Sequence, residues 1–170
     1  MKPGLNLILA AIFCAISVTG MAQEPDCVCC SVSHFQFDFW LGDWEVEDRD
    51  GKIVGESSIQ KLENNCLISE RWEGKNDFSG RSYNYFNPET QTWNQLWISN
   101  NGEILKLEGK AETNKMILTG ELISDPKGDY KNQIVWTAME DGTVTQEWLL
   151  LSEDDEVIEN LFFGIYRRKN

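Results

Sequence analysis

The stretch FDFWLGDWEV, Phe37 to Val46, sets Trp40 and Trp44 on either side of Gly42. Two very large apolar rings flank the residue with the fewest steric restrictions, a pattern that suits a sharp change of chain direction between two buried side chains. Upstream, FQFDFWL (Phe35 to Leu41) is dense in aromatics, and Gly42 follows it as a helix C-terminal glycine does. This predicts a short helical turn that lays Phe37, Trp40 and Leu41 as a lid across one end of a closed sheet. Downstream, Trp44 and Val46 alternate with Glu45 and Glu47, the period of a strand with one buried face.

That period continues to the end of the chain. Cys66, Ile68 and Trp72 share a phase with Glu70, and Val144, Trp148 and Leu150 share one with Gln146. Turn signals recur at short, even intervals: Asp50-Gly51, Asn64-Asn65, Lys75 to Gly80, Asn87 to Thr90, Asn100 to Gly102, Thr113-Asn114, Asp125 to Asp129, Asp141-Gly142 and Glu153 to Asp155. They divide the chain into ten strands. No helical stripe after residue 44 is long enough to cover a sheet, so the sheet must cover itself. Closure into an antiparallel up-and-down barrel does so and removes exposed edges; a two-sheet sandwich is the alternative.

Gly42-Asp43-Trp44 is a G-x-W element at the start of the first strand, and in this the chain resembles the lipocalin and calycin barrels. The resemblance implies that Trp44 packs inside the closed end beneath an arginine of the last strand, for which GIYRRKN offers Arg167 and Arg168. FDFWLGDWEV, ERWEG, GRSYNYFNPETQTWNQLWI and the terminal YRR together resemble a family of exported bacterial proteins of unknown function with a lipocalin-like barrel. Trp93 and Trp97 match that family's W-x-x-x-W pair. Its D-G-G loop and following tryptophan are replaced here by Ser152-Glu153-Asp154-Asp155. The strand count is also similar to nitrobindin-type haem barrels. Those use a late histidine, and this chain has none after His34, so no cofactor is expected.

The start of the chain divides it into three parts. Lys2, an apolar run from Leu5 to Val18 and Gly20-Met21-Ala22 read as a secretory signal peptide over residues 1–22. Residues 23–34 form a cysteine-containing tail, and 35–170 the barrel domain. The localisation expected is therefore exported, periplasmic or extracellular. The net charge of −13 repels phosphate backbones and anionic lipid, so neither nucleic-acid partners nor membrane insertion is expected. Beyond the leader, Cys27, Cys29, Cys30 and Cys66 remain, an even set that in an exported chain predicts disulfides rather than a metal site. Cys66 is expected to tie the tail to the barrel.

Catalytic residues are scarce. His34 is the one histidine, and Ser152 has no histidine beside it with which to build a triad. Most carboxylates occupy outward strand phases or turns. Glu70 does not, and a buried acid must be paired, hydrogen-bonded or protonated. It reads either as a polar fixture of a cavity or as partner to an arginine. Large rings interleaved with amide and hydroxyl groups are what a small-molecule pocket requires, though the same rings can simply fill a barrel. The expected lining is Glu70, Trp72, Tyr83, Tyr85, Trp97, Trp136, Gln146 and Trp148, with Trp44, Arg167, Arg168 and Cys66 as structural residues. The expected function is non-catalytic binding of a small hydrophobic or aromatic molecule. The alternatives are an envelope scaffold or interaction protein with a filled barrel, or a barrel hydrolase or isomerase using Glu70.

Overall fold

The computed structural model describes residues 27–169, so the predicted leader and the first residues of the tail lie outside the described residues. Two 3-10 turns, Val32–Phe35 and Asp38–Trp40, precede ten strands. These are β1 (Gly42–Glu47), β2 (Ile53–Leu62), β3 (Leu67–Gly74), β4 (Ser79–Asn87), β5 (Thr92–Ser99), β6 (Ile104–Glu112), β7 (Lys115–Thr119), β8 (Lys131–Ala138), β9 (Val144–Leu151) and β10 (Val157–Arg168). Each strand pairs antiparallel with its sequence neighbours, and β1 pairs with β10, so the sheet is a closed barrel rather than a sandwich.

Burial follows the predicted alternation on β1, where Trp44 and Val46 are buried between partly exposed acids, and on β3, where Ile68, Glu70 and Trp72 are buried. Two phases differ from expectation. On β4 the buried residues are Ser82, Asn84 and Phe86, while Tyr83 and Tyr85 stand on the outer surface. Register explains this, because directly opposed residues in an antiparallel pair share a face. Ser82 lies opposite Glu70 and Trp97, and Asn84 opposite Ile68 and Gln95. At the end of β9, Leu151 rather than Leu150 is fully buried, where the pairing with β10 slips by a residue.

The aromatic stretch before β1 packs into the barrel interior. Phe37 and Trp40 have no exposed surface; their rings stack 4.9 Å apart, and both lie about 5 Å from Trp136. The Trp44 indole nitrogen donates to the Trp40 carbonyl oxygen at 2.9 Å, which fixes the corner between the two tryptophans. Gly42 makes that corner with φ at +128°, a backbone conformation a side chain rarely adopts. A Cβ there would also lie 2.5 Å from the Arg168 guanidinium. The missing methyl group leaves room for Arg168 to stack over the Trp44 ring, at 4.5 Å from its centre. Arg168 is itself exposed, so the contact contributes about 0.5–1 kcal/mol, the range for incompletely desolvated pairs. Arg167, one residue earlier, points outward and pairs with Glu47 at 2.8 Å.

All four tail and barrel cysteines are oxidised: Cys29 bonds to Cys66, strapping the tail to the β2–β3 connection, and Cys27 bonds to Cys30. Among the described residues no helix is long and apolar enough to cross a membrane.

Candidate functional site

The connections of the barrel fall at two ends. The 3-10 turns, the Cys29–Cys66 bond and the β4–β5 turn gather at one, where His34 packs edge-on against Phe86 and its Nδ1 hydrogen-bonds the Ser31 hydroxyl at 2.8 Å. His34 is thus a buried packing residue. At the opposite end a cavity of about 530 Å³ opens between the β1–β2 and β3–β4 turns. Its wall includes Trp72, Phe78, Trp97, Leu105, Ile134, Trp136, Trp148 and Phe162, with Glu70, Gln95, Gln146 and Tyr166 as the polar lining and Lys52 and Lys75 at the mouth. Six of the eight residues expected from sequence are therefore brought together: Glu70, Trp72, Trp97, Trp136, Gln146 and Trp148. Tyr83 and Tyr85 are not among them, since the register of β4 turns them outward.

Two glycines keep the interior open. A Cβ on Gly55 would lie 2.6 Å from the Trp72 ring, and one on Gly80 would lie 2.4 Å from the Trp97 ring. Each indole therefore rests against the bare backbone of a glycine on the neighbouring strand, where any side chain would displace it. This is how a barrel rich in tryptophan avoids filling itself.

Glu70 is 5% exposed and has no basic partner among the described residues; the Ser57 hydroxyl donates to its Oε1 at 2.9 Å and the Ser82 hydroxyl to its Oε2 at 3.0 Å. The arginine alternative is thereby replaced by two hydroxyls. Behind Ser82 stands a fixed chain of donors. Gln95 Nε2 donates to Asn84 Oδ1 at 2.8 Å, and Asn84 Nδ2 donates to the Ser82 oxygen at 2.9 Å and to the Ile68 carbonyl at 3.1 Å. Because Ser82 already accepts from Asn84, its own proton is directed at Glu70. Burial nonetheless pushes the Glu70 carboxyl up to about 7, with the two serine hydrogen bonds opposing the rise. Across the cavity, the Tyr166 hydroxyl donates to Gln146 Oε1, and Trp148 Nε1 donates to Asn132 Oδ1 at 2.8 Å. Burial, then the nearby Glu70 charge, holds the Tyr166 phenol well above its ordinary value, so it stays protonated.

Sequence reasoning missed Ser57, Ser82 and Asn84, and with them Gly55 and Gly80. Their signal lay in pairing rather than in polarity: once Glu70 faces inward, its opposite numbers must too.

No protein-family model matches this chain, and a search of curated proteins finds no match.

Proposed function

We propose that this chain is an exported, non-catalytic binding protein, built on a lipocalin-like barrel, that holds a small hydrophobic or aromatic molecule in its interior. The observation carrying this is the aromatic-walled cavity of about 530 Å³, with hydrogen-bonded Glu70, Gln146 and Tyr166 on its lining beside Gln95 Oε1 and the Trp97 and Trp136 indole nitrogens, unpartnered among the described residues, a size and composition suited to a small organic molecule. Ile53 and Leu161, exposed at the mouth, give an apolar ligand a graded path inward. Phe37 and Trp40 act as a permanent lid at the far end, so entry is from one side. Membership of the exported barrel family suggested by FDFWLGDWEV and YRR belongs to the same proposal, and the two disulfides suit an oxidising compartment.

Native mass spectrometry of protein purified from its own host tests the reading. A co-purifying small molecule, released by denaturation and absent from a Gly80→Trp variant with a blocked interior, is the expected result. Recovery of ligand-free protein whose tryptophan fluorescence responds to no apolar or aromatic compound would count against it.

A catalytic reading draws on one specific feature, a cavity carboxyl that titrates near neutrality and so matches a general base. Turnover of a candidate substrate that survives Glu70→Gln removes it.

A further inference from the structure

Among the described residues the cavity is lined by one carboxyl group, Glu70, and no cation is paired with it. Glu70 on β3 receives only the Ser57 and Ser82 hydroxyls. The other titratable groups on the cavity lining are Tyr166 on β10, Lys52 in the β1–β2 turn and Lys75 at the start of the β3–β4 turn. Neither lysine forms an ion pair with Glu70, and Lys75 is paired with Glu56 at 3.3 Å on the outside of the mouth. The strands beside Glu70 present hydroxyls to it, Ser57 from β2 and Ser82 from β4.

The hydrogen bonds around this carboxyl have a direction. From Gln95 through Asn84 and Ser82, each donor hands its proton toward Glu70, and Ser57 does the same from the other side. Such an arrangement of dipoles stabilises an anion and has little use for a neutral acid. Two hydrogen bonds leave further lone pairs of the carboxylate open. The same cavity is lined by the indoles of Trp72, Trp97, Trp136 and Trp148, and an indole face attracts positive charge. The chain as a whole carries a charge of −13, a field that draws cations toward the mouth despite its two lysines.

Resting on the binding function proposed above, we infer that the cavity's ligand is an organic cation: a compact aromatic or aliphatic amine or quaternary ammonium whose charged nitrogen sits at Glu70 among the indole faces. The ligand's charge completes an ion pair that the fold leaves half made. Burying an unpaired carboxyl is costly, and a structural role alone would be met at lower cost by glutamine. Bringing a cation to Glu70 favours its charged form, so binding near neutrality releases a proton.

The test uses the oxidised full-length mature protein and matched probes: benzyltrimethylammonium against neopentylbenzene, phenethylamine against phenethyl alcohol, and tryptamine against tryptophol. Binding is followed by tryptophan fluorescence and calorimetry. At pH 8 each cation is expected to bind at least tenfold more tightly than its uncharged partner, a preference that Glu70→Gln abolishes. In the unaltered protein, benzyltrimethylammonium, whose charge is independent of pH, should lose on the order of a hundredfold in affinity between pH 8 and pH 5 as Glu70 takes up its proton. At pH 7, calorimetry in buffers of different ionisation enthalpy should show about half a proton released per ligand bound. These two measurements need no variant to fold. Equal affinity for charged and uncharged partners overturns the cation assignment and leaves the binding function standing. Failure of both members of every pair to bind at millimolar concentration overturns the two together.

Discussion

Replacing Glu70 by Gln should shift stability progressively in the variant's favour as the pH rises. In the native state burial holds the Glu70 carboxyl at about 7, against 4.5 for the free side chain. Between those values the folded chain keeps a proton that the unfolded chain has released. Unfolding then releases a proton, so stability falls as pH climbs through the window and levels off above about 7. The gap between the two values corresponds to about 3 kcal/mol in full, of which about 2 to 3 kcal/mol lies between pH 5 and pH 8. Glutamine has the same shape and does not titrate. Its own repacking cost against Ser57 and Ser82 is independent of pH and drops out when the same pair of proteins is compared at two pH values. Urea unfolding, followed by tryptophan fluorescence with both disulfides intact, gives the stability of each protein at each pH. The stability of the Gln variant relative to the parent should rise by about 2 to 3 kcal/mol from pH 5 to pH 8. Other carboxylates titrate alike in both proteins and cancel. A difference that stays level with pH would show that Glu70 ionises as a solvated acid, and the desolvated carboxyl on which the site rests would be lost.

Further outcomes follow from the packing and from the cross-links. Gly80→Ala should lift the Trp97 ring off β4, costing about 1–3 kcal/mol in unfolding free energy and weakening uptake of any cavity ligand, read by denaturation and by fluorescence titration. Gly42→Ala should cost about 1–3 kcal/mol, because it meets both a positive φ and the Arg168 guanidinium. Arg168→Ala should cost only about 0.5–1 kcal/mol, and if the arginine variant proves the worse in the same denaturation assay, the account of this corner is wrong. Removing the Cys29–Cys66 bond by paired alanine substitution releases a closure spanning 37 residues and should cost up to about 4 kcal/mol by the chain-entropy estimate, whereas loss of the Cys27–Cys30 bond, spanning 3, should cost far less, both measurable as shifts in denaturation midpoint.

The sequence made the architecture legible through its punctuation. Turn residues such as Asp50-Gly51 and Asp141-Gly142 fall where strands end, and Gly42-Asp43-Trp44 with the closing arginines anticipated the seam between β1 and β10. Strand phase was readable where hydrophobicity and burial agree, as with Trp44 and Val46. It misled on β4, where the aromatic phase, Tyr83 and Tyr85, faces water and the polar phase, Ser82 and Asn84, is buried. Hydrophobicity reads each strand alone, whereas the polar network is a property of four strands in register. The β3–β4 turn places Ser82 opposite Glu70, so applying the hairpin register would have found it. Gly55 and Gly80 escaped for a related reason: their role is the space they leave for a ring on the adjacent strand, which no single-strand pattern contains.

The hydrogen-bonded seam between Gly42–Glu47 and Val157–Arg168 joins almost the two extremes of the folded chain. The wall therefore stays open until Val157–Arg168 is available to pair, and two bare edges wait for each other across the whole length of the domain. Closure by such distant segments is entropically late, which implies slow, all-or-none completion. A truncation that removes the final strand should leave an open, adhesive ribbon in place of a smaller barrel.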